Sequence, residues 1–176
     1  PDEQEILSRY VGWGGILQAF DEENTQWSEE YRQLKELLTE KEYDAARSST
    51  LNAHYTSPTV IRAMYDAIEK MGFRTGNVLE PSCGVGNFFG MLPDDMSGSR
   101  LYGVELDSIT GRIARQLYPD ARITISGFEK TQRRDFFDLA IGNVPFGGYK
   151  VSDKQFDKYN FLIHDYFFAK TLEQVR

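Results

Sequence analysis

Apolar residues follow one rhythm over the first fifty residues of this chain and another after residue 55. Glu3 to Tyr10 and Glu29 to Ala46 carry them at helical spacing, with Tyr31, Leu34 and Leu38 along the second stretch. Between these stretches lies Tyr10-Val11-Gly12-Trp13-Gly14-Gly15, a glycine-rich turn around a tryptophan, which reads as a packing anchor with Trp13 filling a groove. From Pro58 to Met71 the pattern predicts a clean helix. Ser57 can cap it, Pro58 suits its first turn, Gly72 suits its end, and Val60, Ile61, Met64, Tyr65 and Ile68 share one face. Short apolar runs then predict strands at Val78-Leu79, Leu101 to Leu106, Arg122 to Ser126 and Phe137 to Ile141. Ser82 to Gly90 reads as a turn into a short helix, and Ser108 to Leu117 as a helix with Ile109, Ile113 and Leu117 inward. A polar loop runs from Gly142 to about Asn160, and an apolar-rich helix from Phe161 to about Val175. Strands alternating with helices imply an α/β fold with a parallel, doubly wound sheet, in which ligands sit at the carboxyl ends of the strands.

Composition narrows the class. With 176 residues, 40% hydrophobic and 14% aromatic, the chain can bury a real core. It holds no apolar run long enough to span a bilayer and no secretory signal pattern, so no membrane partner is expected. It opens with Pro1, which suggests a piece excised from a longer polypeptide. One cysteine, Cys83, excludes an internal disulfide and fits a reducing cytoplasm. Two distant histidines and that cysteine predict no metal site. The net charge of −7 is concentrated in residues 1–50, which hold 12 acids and 5 bases, and the remainder is neutral. Neither part has the basic stripe of a self-sufficient nucleic-acid binder. These contrasts divide the chain into a helical extension, 1–50, and an α/β core, 51–176.

The sharpest strings fall at strand ends. In Glu80-Pro81-Ser82-Cys83-Gly84-Val85-Gly86-Asn87-Phe88, Gly84 and Gly86 let backbone approach a ligand. The third glycine, Gly90, is one place late for a dinucleotide fingerprint, and Glu80 disfavours a pyrophosphate. An acid there suits a ligand carrying positive charge. Twenty-five residues on, in Gly103-Val104-Glu105-Leu106-Asp107, Glu105 ends the second strand, where a carboxylate can accept hydrogen bonds from both hydroxyls of a ribose. Asp107 or Ser108 reads as the cap of the next helix.

After the fourth strand comes Gly142-Asn143-Val144-Pro145-Phe146-Gly147. An Asn followed by a backbone carbonyl offers two acceptors to an NH₂ group, and Phe146 can stack on a flat ring. As an isolated string it would be a turn; its place behind the fourth strand gives it weight. In Ala53-His54-Tyr55-Thr56-Ser57-Pro58, Thr56 offers donors to a carboxylate at a helix start, a role compatible with plain capping. His164 reads as a packed or capping side chain, Cys83 as a small filler, and Lys150 to Lys158 as a solvated loop that orders when DNA binds.

Taken in order, Tyr-Thr-x-Pro, Glu-Pro-x-x-Gly-x-Gly-Asn-Phe, Gly-Val-Glu-Leu-Asp and Asn-x-Pro-Phe resemble the amino-group DNA methyltransferases of the gamma arrangement. More narrowly, residues 6–176 resemble the adenine-methylase region of large methylase–helicase polypeptides of bacterial mobile elements, through Tyr-Val-Gly-Trp-Gly-Gly, Asn-Val-Pro-Phe-Gly and Ile-His-Asp-Tyr-Phe-Phe-Ala-Lys. The resemblance implies a Rossmann-like class I methyltransferase sheet and S-adenosylmethionine as cofactor, whose α-ammonium and sulfonium suit the acid at Glu80. It implies that Thr56, Glu80 and Gly84 contact the methionine part and Glu105 the ribose, that Tyr55, Pro81, Ser82, Gly86, Asn87, Phe88 and Leu106 also belong to the cofactor site, and that Phe128 or Glu129 lies by the adenine. It implies that Asn143, Val144 through its carbonyl, Pro145 and Phe146 form the catalytic motif, acting on the N6 amino group of an adenine flipped out of DNA, by direct displacement without a covalent enzyme intermediate.

Two departures stand out. Val144 replaces the first proline of the family's Asn-Pro-Pro-Phe or Tyr; the carbonyl survives, and a β-branched residue before proline stays extended. The chain also stops at Arg176, where the family's fifth strand, closing hairpin and target-recognition region are expected. The resemblance therefore implies that DNA is held mostly by regions outside this chain, beside a helicase domain of the same polypeptide, and that this fragment alone can bind cofactor yet be inactive. Two other readings stay open. One is a methyltransferase for protein glutamine or RNA adenine, which need the same two acceptors. The other is a non-catalytic cofactor-binding or scaffold module.

Overall fold

The computed structural model describes residues 2–50 and 55–176. The expected boundary after residue 50, and Ala53 and His54 of the fourth string, fall on or against residues 51–54, outside the described residues.

Eleven helices and strands among the described residues position the site. The helices are α1 (Asp2–Ser8), α2 (Ser28–Leu37), α3 (Glu40–Ser49), α4 (Pro58–Lys70), α5 (Asn87–Gly90), α6 (Ser108–Leu117) and α7 (Ile163–Gln174). The strands are β1 (Asn77–Glu80), β2 (Arg100–Glu105), β3 (Arg122–Ile125) and β4 (Leu139–Ala140). They form one parallel sheet in the order β3-β2-β1-β4. Chain order reverses between β1 and β4, which makes the crevice there a topological switch point. Registers of Glu80 with Gly103 and of Leu79 with Ala140 bring the ends of β1, β2 and β4 to one edge.

The sheet is covered on both faces, and its central strands bury Val78, Leu79, Tyr102 and Val104 between them. On one face Leu79, Tyr102 and Val104 pack with Phe137 and with Ile163, Tyr166 and Phe167 of α7. On the other, Val78 and Ile141 pack with Ile61 and Tyr65 of α4 and with Phe88. Two caps match the sequence. Ser57 Oγ accepts the Val60 N–H at 3.4 Å ahead of Pro58, and Asp107 accepts the N–H groups of Ile109 and Thr110.

The structure departs from the sequence reading in four places. The helix expected over Glu29 to Ala46 is broken at Leu38-Thr39, because Thr39 and Glu42 form a reciprocal capping box that starts α3. The fourth strand is shorter than Phe137 to Ile141. Phe137 turns instead to the end of the chain, donating to Gln174 O and accepting from the Arg176 N–H at 2.9 Å. The last helix starts at Ile163 rather than Phe161. Finally, Lys150 to Lys158 is not a solvated loop awaiting DNA. Phe156 is buried, Val151 packs against the same core, and Asp153 accepts hydrogen bonds from Tyr166 Oη and Lys170 Nζ, both at 2.8 Å.

The N-terminal helices gather a smaller core of Ala19, Phe20, Tyr43 and Ala46, with Trp13 and Trp27 against it. They lie along α6. Gln4 donates to Gln116 O at 3.0 Å, Arg112 pairs with Glu42, and Tyr10 meets Thr110 hydroxyl to hydroxyl at 3.4 Å. No helix among the described residues is long and apolar enough to cross a membrane.

Candidate functional site

A cavity of about 490 Å³ opens where the ends of β1, β2 and β4 converge. A cavity of this size at a switch point suits a small-molecule ligand. Of the residues singled out by sequence, Tyr55, Thr56, Glu80, Pro81, Ser82, Gly84, Asn87, Phe88, Glu105, Leu106, Phe128, Glu129, Asn143, Val144, Pro145 and Phe146 all line it. Gly86 does not. It caps α5 with φ +88°, and a Cβ there would meet the Tyr118 ring at 2.6 Å. Its glycine is therefore required by backbone and packing rather than by close approach to the cavity.

The two strand-end acids are held differently. Glu105 accepts the Gly84 N–H at 2.9 Å with one oxygen and the Asp107 N–H at 2.8 Å with the other. Each oxygen keeps a further lone-pair position for a ligand hydroxyl. Burial raises its pKa, and these backbone N–H groups partly offset the rise. Glu80 is only 2% exposed, and its Oε2 has no hydrogen-bond partner. Burial, with repulsion from Glu105 second, pushes its carboxyl well above the usual range. A buried acid in that state gains most from a cationic partner. Thr56, which also lines the cavity, likewise has a buried hydroxyl without a partner.

The adenine-side candidates Phe128 and Glu129 both reach the wall. Phe128 is stacked on Phe167, with ring centroids 4.9 Å apart, and Lys170 Nζ donates to the Glu129 carbonyl at 3.0 Å. On the far side, the string after β4 lines the mouth, with Phe146 56% exposed. Cys83 is a buried free thiol, and burial raises its pKa. His164 lies in the first turn of α7 and does not line the cavity. Among the described residues no group of His, Cys, Asp or Glu could hold a metal ion.

Sequence reasoning missed the contribution of the N-terminal segment. Gly12, Trp13, Asp44 and Ser48 form part of the cavity wall. Trp13 does pack, edge-on to Tyr10 and Phe20, but the residue lines the cavity too. The available signal was a tryptophan set among glycines, which places an N–H donor on bare backbone.

No family model matches the chain. It is 34% identical over 102 residues to the defense against restriction protein B of Escherichia phage P1, a match covering 56% of this chain and 4% of that protein. It is 35% identical over 79 residues to the type II methyltransferase M.CvrRI of Paramecium bursaria Chlorella virus XZ-6E, covering 44% of this chain and 21% of the other. The matched residues are thus a minor part of either relative. In fold it resembles a protein of Vibrio vulnificus YJ016 described as the modification subunit of a type I restriction enzyme. The TM-score is 0.55 and the identity 19%, over 85% of this chain and 35% of that one. The sheet order and this likeness give a parallel, Rossmann-like α/β fold, and in sequence the chain is similar to part of a type II methyltransferase.

Proposed function

We propose that the cavity binds S-adenosylmethionine and that the chain directs methyl transfer to the N6 amino group of adenine in DNA, residues 51–176 forming the core and 1–50 an extension. One observation carries the cofactor reading: Glu80 and Thr56, each with a buried, unpartnered side-chain oxygen, line the same cavity as Glu105. The residues fit this cofactor. Glu80 would take the α-ammonium, Thr56 the carboxylate, and the free lone pairs of Glu105 the ribose hydroxyls. A dinucleotide fits poorly, because two buried acids would oppose its pyrophosphate.

When bound, the cofactor supplies an electrophilic methyl group. The chain's own part is to hold the acceptor nitrogen in line. The Asn143 side chain and the Val144 carbonyl accept the two amino hydrogens, and Phe146 stacks on the base. Such positioning can supply roughly 7–11 kcal/mol of a barrier. No covalent enzyme intermediate and no strong general base is required. An adenine reaches this pocket only when flipped from the duplex. Regions outside this chain, including helicase parts of a longer polypeptide, would grip the phosphates, because this chain has no basic stripe. Of the two viral relatives, one is named for defense against restriction and the other as a type II methyltransferase, which supports DNA as the substrate.

The test is to incubate the protein, alone and within its longer polypeptide, with duplex DNA and methyl-labelled S-adenosylmethionine, then digest to nucleosides for mass spectrometry. Labelled N6-methyl-2′-deoxyadenosine is expected. Label appearing only in protein glutamine or RNA, or in no acceptor at all, would overturn the reading.

A further inference from the structure

Between the string after β4 and α7, the chain places its aromatic residues in two ways. Phe156 is buried, and Phe161 packs partly against the same core. Tyr149 and Tyr159 stand 42% and 55% exposed. A single exposed ring is ordinary; Tyr159 is set apart by its support. It is stacked on Phe161, with ring centroids 5.2 Å apart and planes 19° from parallel. Asn160 between them has φ +58°, the left-handed turn that lets two residues so close in sequence set their rings face to face. The Tyr159 ring is thus held against a firm backing rather than moving freely in water.

That backing is in place before anything binds. The Tyr159 N–H donates to Phe156 O and the Ile163 N–H to Tyr149 O, both at 2.9 Å, and Lys150 Nζ donates to Asn160 Oδ1. These bonds seat the stacked pair next to Tyr149 and Ile163, which line the cavity. Charge adds an independent feature. The segment from Gly147 to Leu162 holds three lysines and two aspartates. Asp153 is paired with Lys170 of α7, which leaves Lys150, Lys154 and Lys158, all exposed, against Asp157. Lys158 Nζ stands over the Tyr159 ring, 4.8 Å from its centre. A supported ring with ammonium groups beside it is the combination that takes up unpaired nucleic acid, whose bases lie on rings while its phosphates meet cations. A purely apolar partner would gain nothing from the lysines.

We propose that Tyr159, backed by Phe161 and flanked by Lys150 and Lys158, is a stacking platform for an unpaired DNA base beside the one held in the cavity. The incoming base takes the place of the Lys158 ammonium over the ring, and that ammonium turns to the adjoining phosphate. The inference rests on the reading of DNA as substrate and deepens it, because it names a surface that this chain itself offers to the strand. Stacking is indifferent to sequence, since every base has a flat face. The platform would hold the strand near the cavity, while the choice of site and most of the phosphate grip lie elsewhere. Phe168, an aromatic residue of α7 that is also exposed, is the natural control.

The experiment measures the fluorescence anisotropy of a labelled oligothymidylate on titration with the intact protein, at several salt concentrations. Thymine cannot serve as the methyl acceptor, so this probe reads the platform apart from the adenine pocket. Tyr159→Ala should weaken binding about tenfold, while Tyr159→Phe, which keeps the ring, and Phe168→Ala should bind like the wild type. Lys158→Ala should make the salt dependence shallower by about one phosphate contact. Equal affinity in wild type and Tyr159→Ala, an equal loss in Phe168→Ala, or a wild type that binds no oligothymidylate would each overturn the platform. Labelled N6-methyl-2′-deoxyadenosine in the methylation assay would leave the DNA reading standing in all three cases. If Tyr159→Ala fails to fold, Lys158→Ala decides: a shallower salt slope supports the platform, and an unchanged one removes it. Oligothymidylate binding that follows this pattern, with no methyl transfer to DNA, would defeat the methylation reading and leave the platform as a nucleic-acid site.

Discussion

At the ends of β1 and β2, Glu80 is 2% exposed and Glu105 is pinned by two backbone N–H groups, whereas after β4 Phe146 stands 56% exposed at the mouth of the same cavity. The first side is built for a small charged ligand. Its acids are buried and fixed before anything binds, so little reorganisation remains for the binding step. The second side is open, as it must be if the acceptor is a base delivered from a macromolecule. The contrast shows where free energy is stored. A buried, unpartnered carboxyl costs stability in the free protein, and a cation returns that cost on binding.

The largest effect expected from breaking this contrast is at Asn143. Asn143→Ala should lower the methylation rate by about 10²–10³-fold, the scale for losing one aligned polar contact in a transition state. Cofactor affinity should stay within about twofold, as measured by calorimetry. On the other side, Glu80→Gln should do the reverse. It should weaken S-adenosylmethionine binding by about a hundredfold, the scale for removing one partner of a buried charge pair. It should also raise the melting temperature of the free protein near pH 8.

The next effect lies where the open side is anchored. Lys170 joins the Glu129 carbonyl to Asp153, so it links the turn after β3 to the segment that follows Asn143 to Phe146. Burial alone would raise the Asp153 pKa, but hydrogen bonds from Lys170 and Tyr166 hold it below the usual carboxylate range. Lys170→Met should cost about 3 kcal/mol in denaturant unfolding, because it strands a nearly buried charge.

The smallest effect is a pH slope. Burial, then repulsion from Glu105, raises the folded-state pKa of Glu80 above its ordinary value of 4.5. Above pH 4.5 the native state therefore binds more protons than the unfolded chain, and stability falls as pH rises through that window. Glu105, also raised, acts in the same direction. Melting of the free protein should drop from pH 5 to pH 8, and Glu80→Gln should flatten the trend. Cofactor affinity should move the opposite way, rising as Glu80 ionises.

Most of the sheet was legible because its strands are short apolar or alternating runs ended by turn residues, and each of α4 and α6 carries its own cap in Ser57 and Asp107. The cavity's strand-end residues were legible for the same reason, since a parallel sheet places its loops at one edge. What sequence could not give depends on contacts between distant segments. The Thr39–Glu42 capping box overrides a helical rhythm that continues through it. Lys170 and Asp153 are 17 residues apart, and only the fold shows that they meet. Trp13 read as packing because its second neighbour, the wall beside Tyr55 and Gly84, is far along the chain. Gly86 failed in the other direction: its string promised ligand approach, while its neighbour is Tyr118.

A crystal structure of the protein with S-adenosylmethionine bound addresses the central proposition most directly. The ammonium should lie within hydrogen-bonding distance of Glu80 Oε2 and the ribose hydroxyls against the carboxylate of Glu105. A nucleoside bound elsewhere, or one seated in this cavity with both carboxylates turned from it, would contradict the assignment.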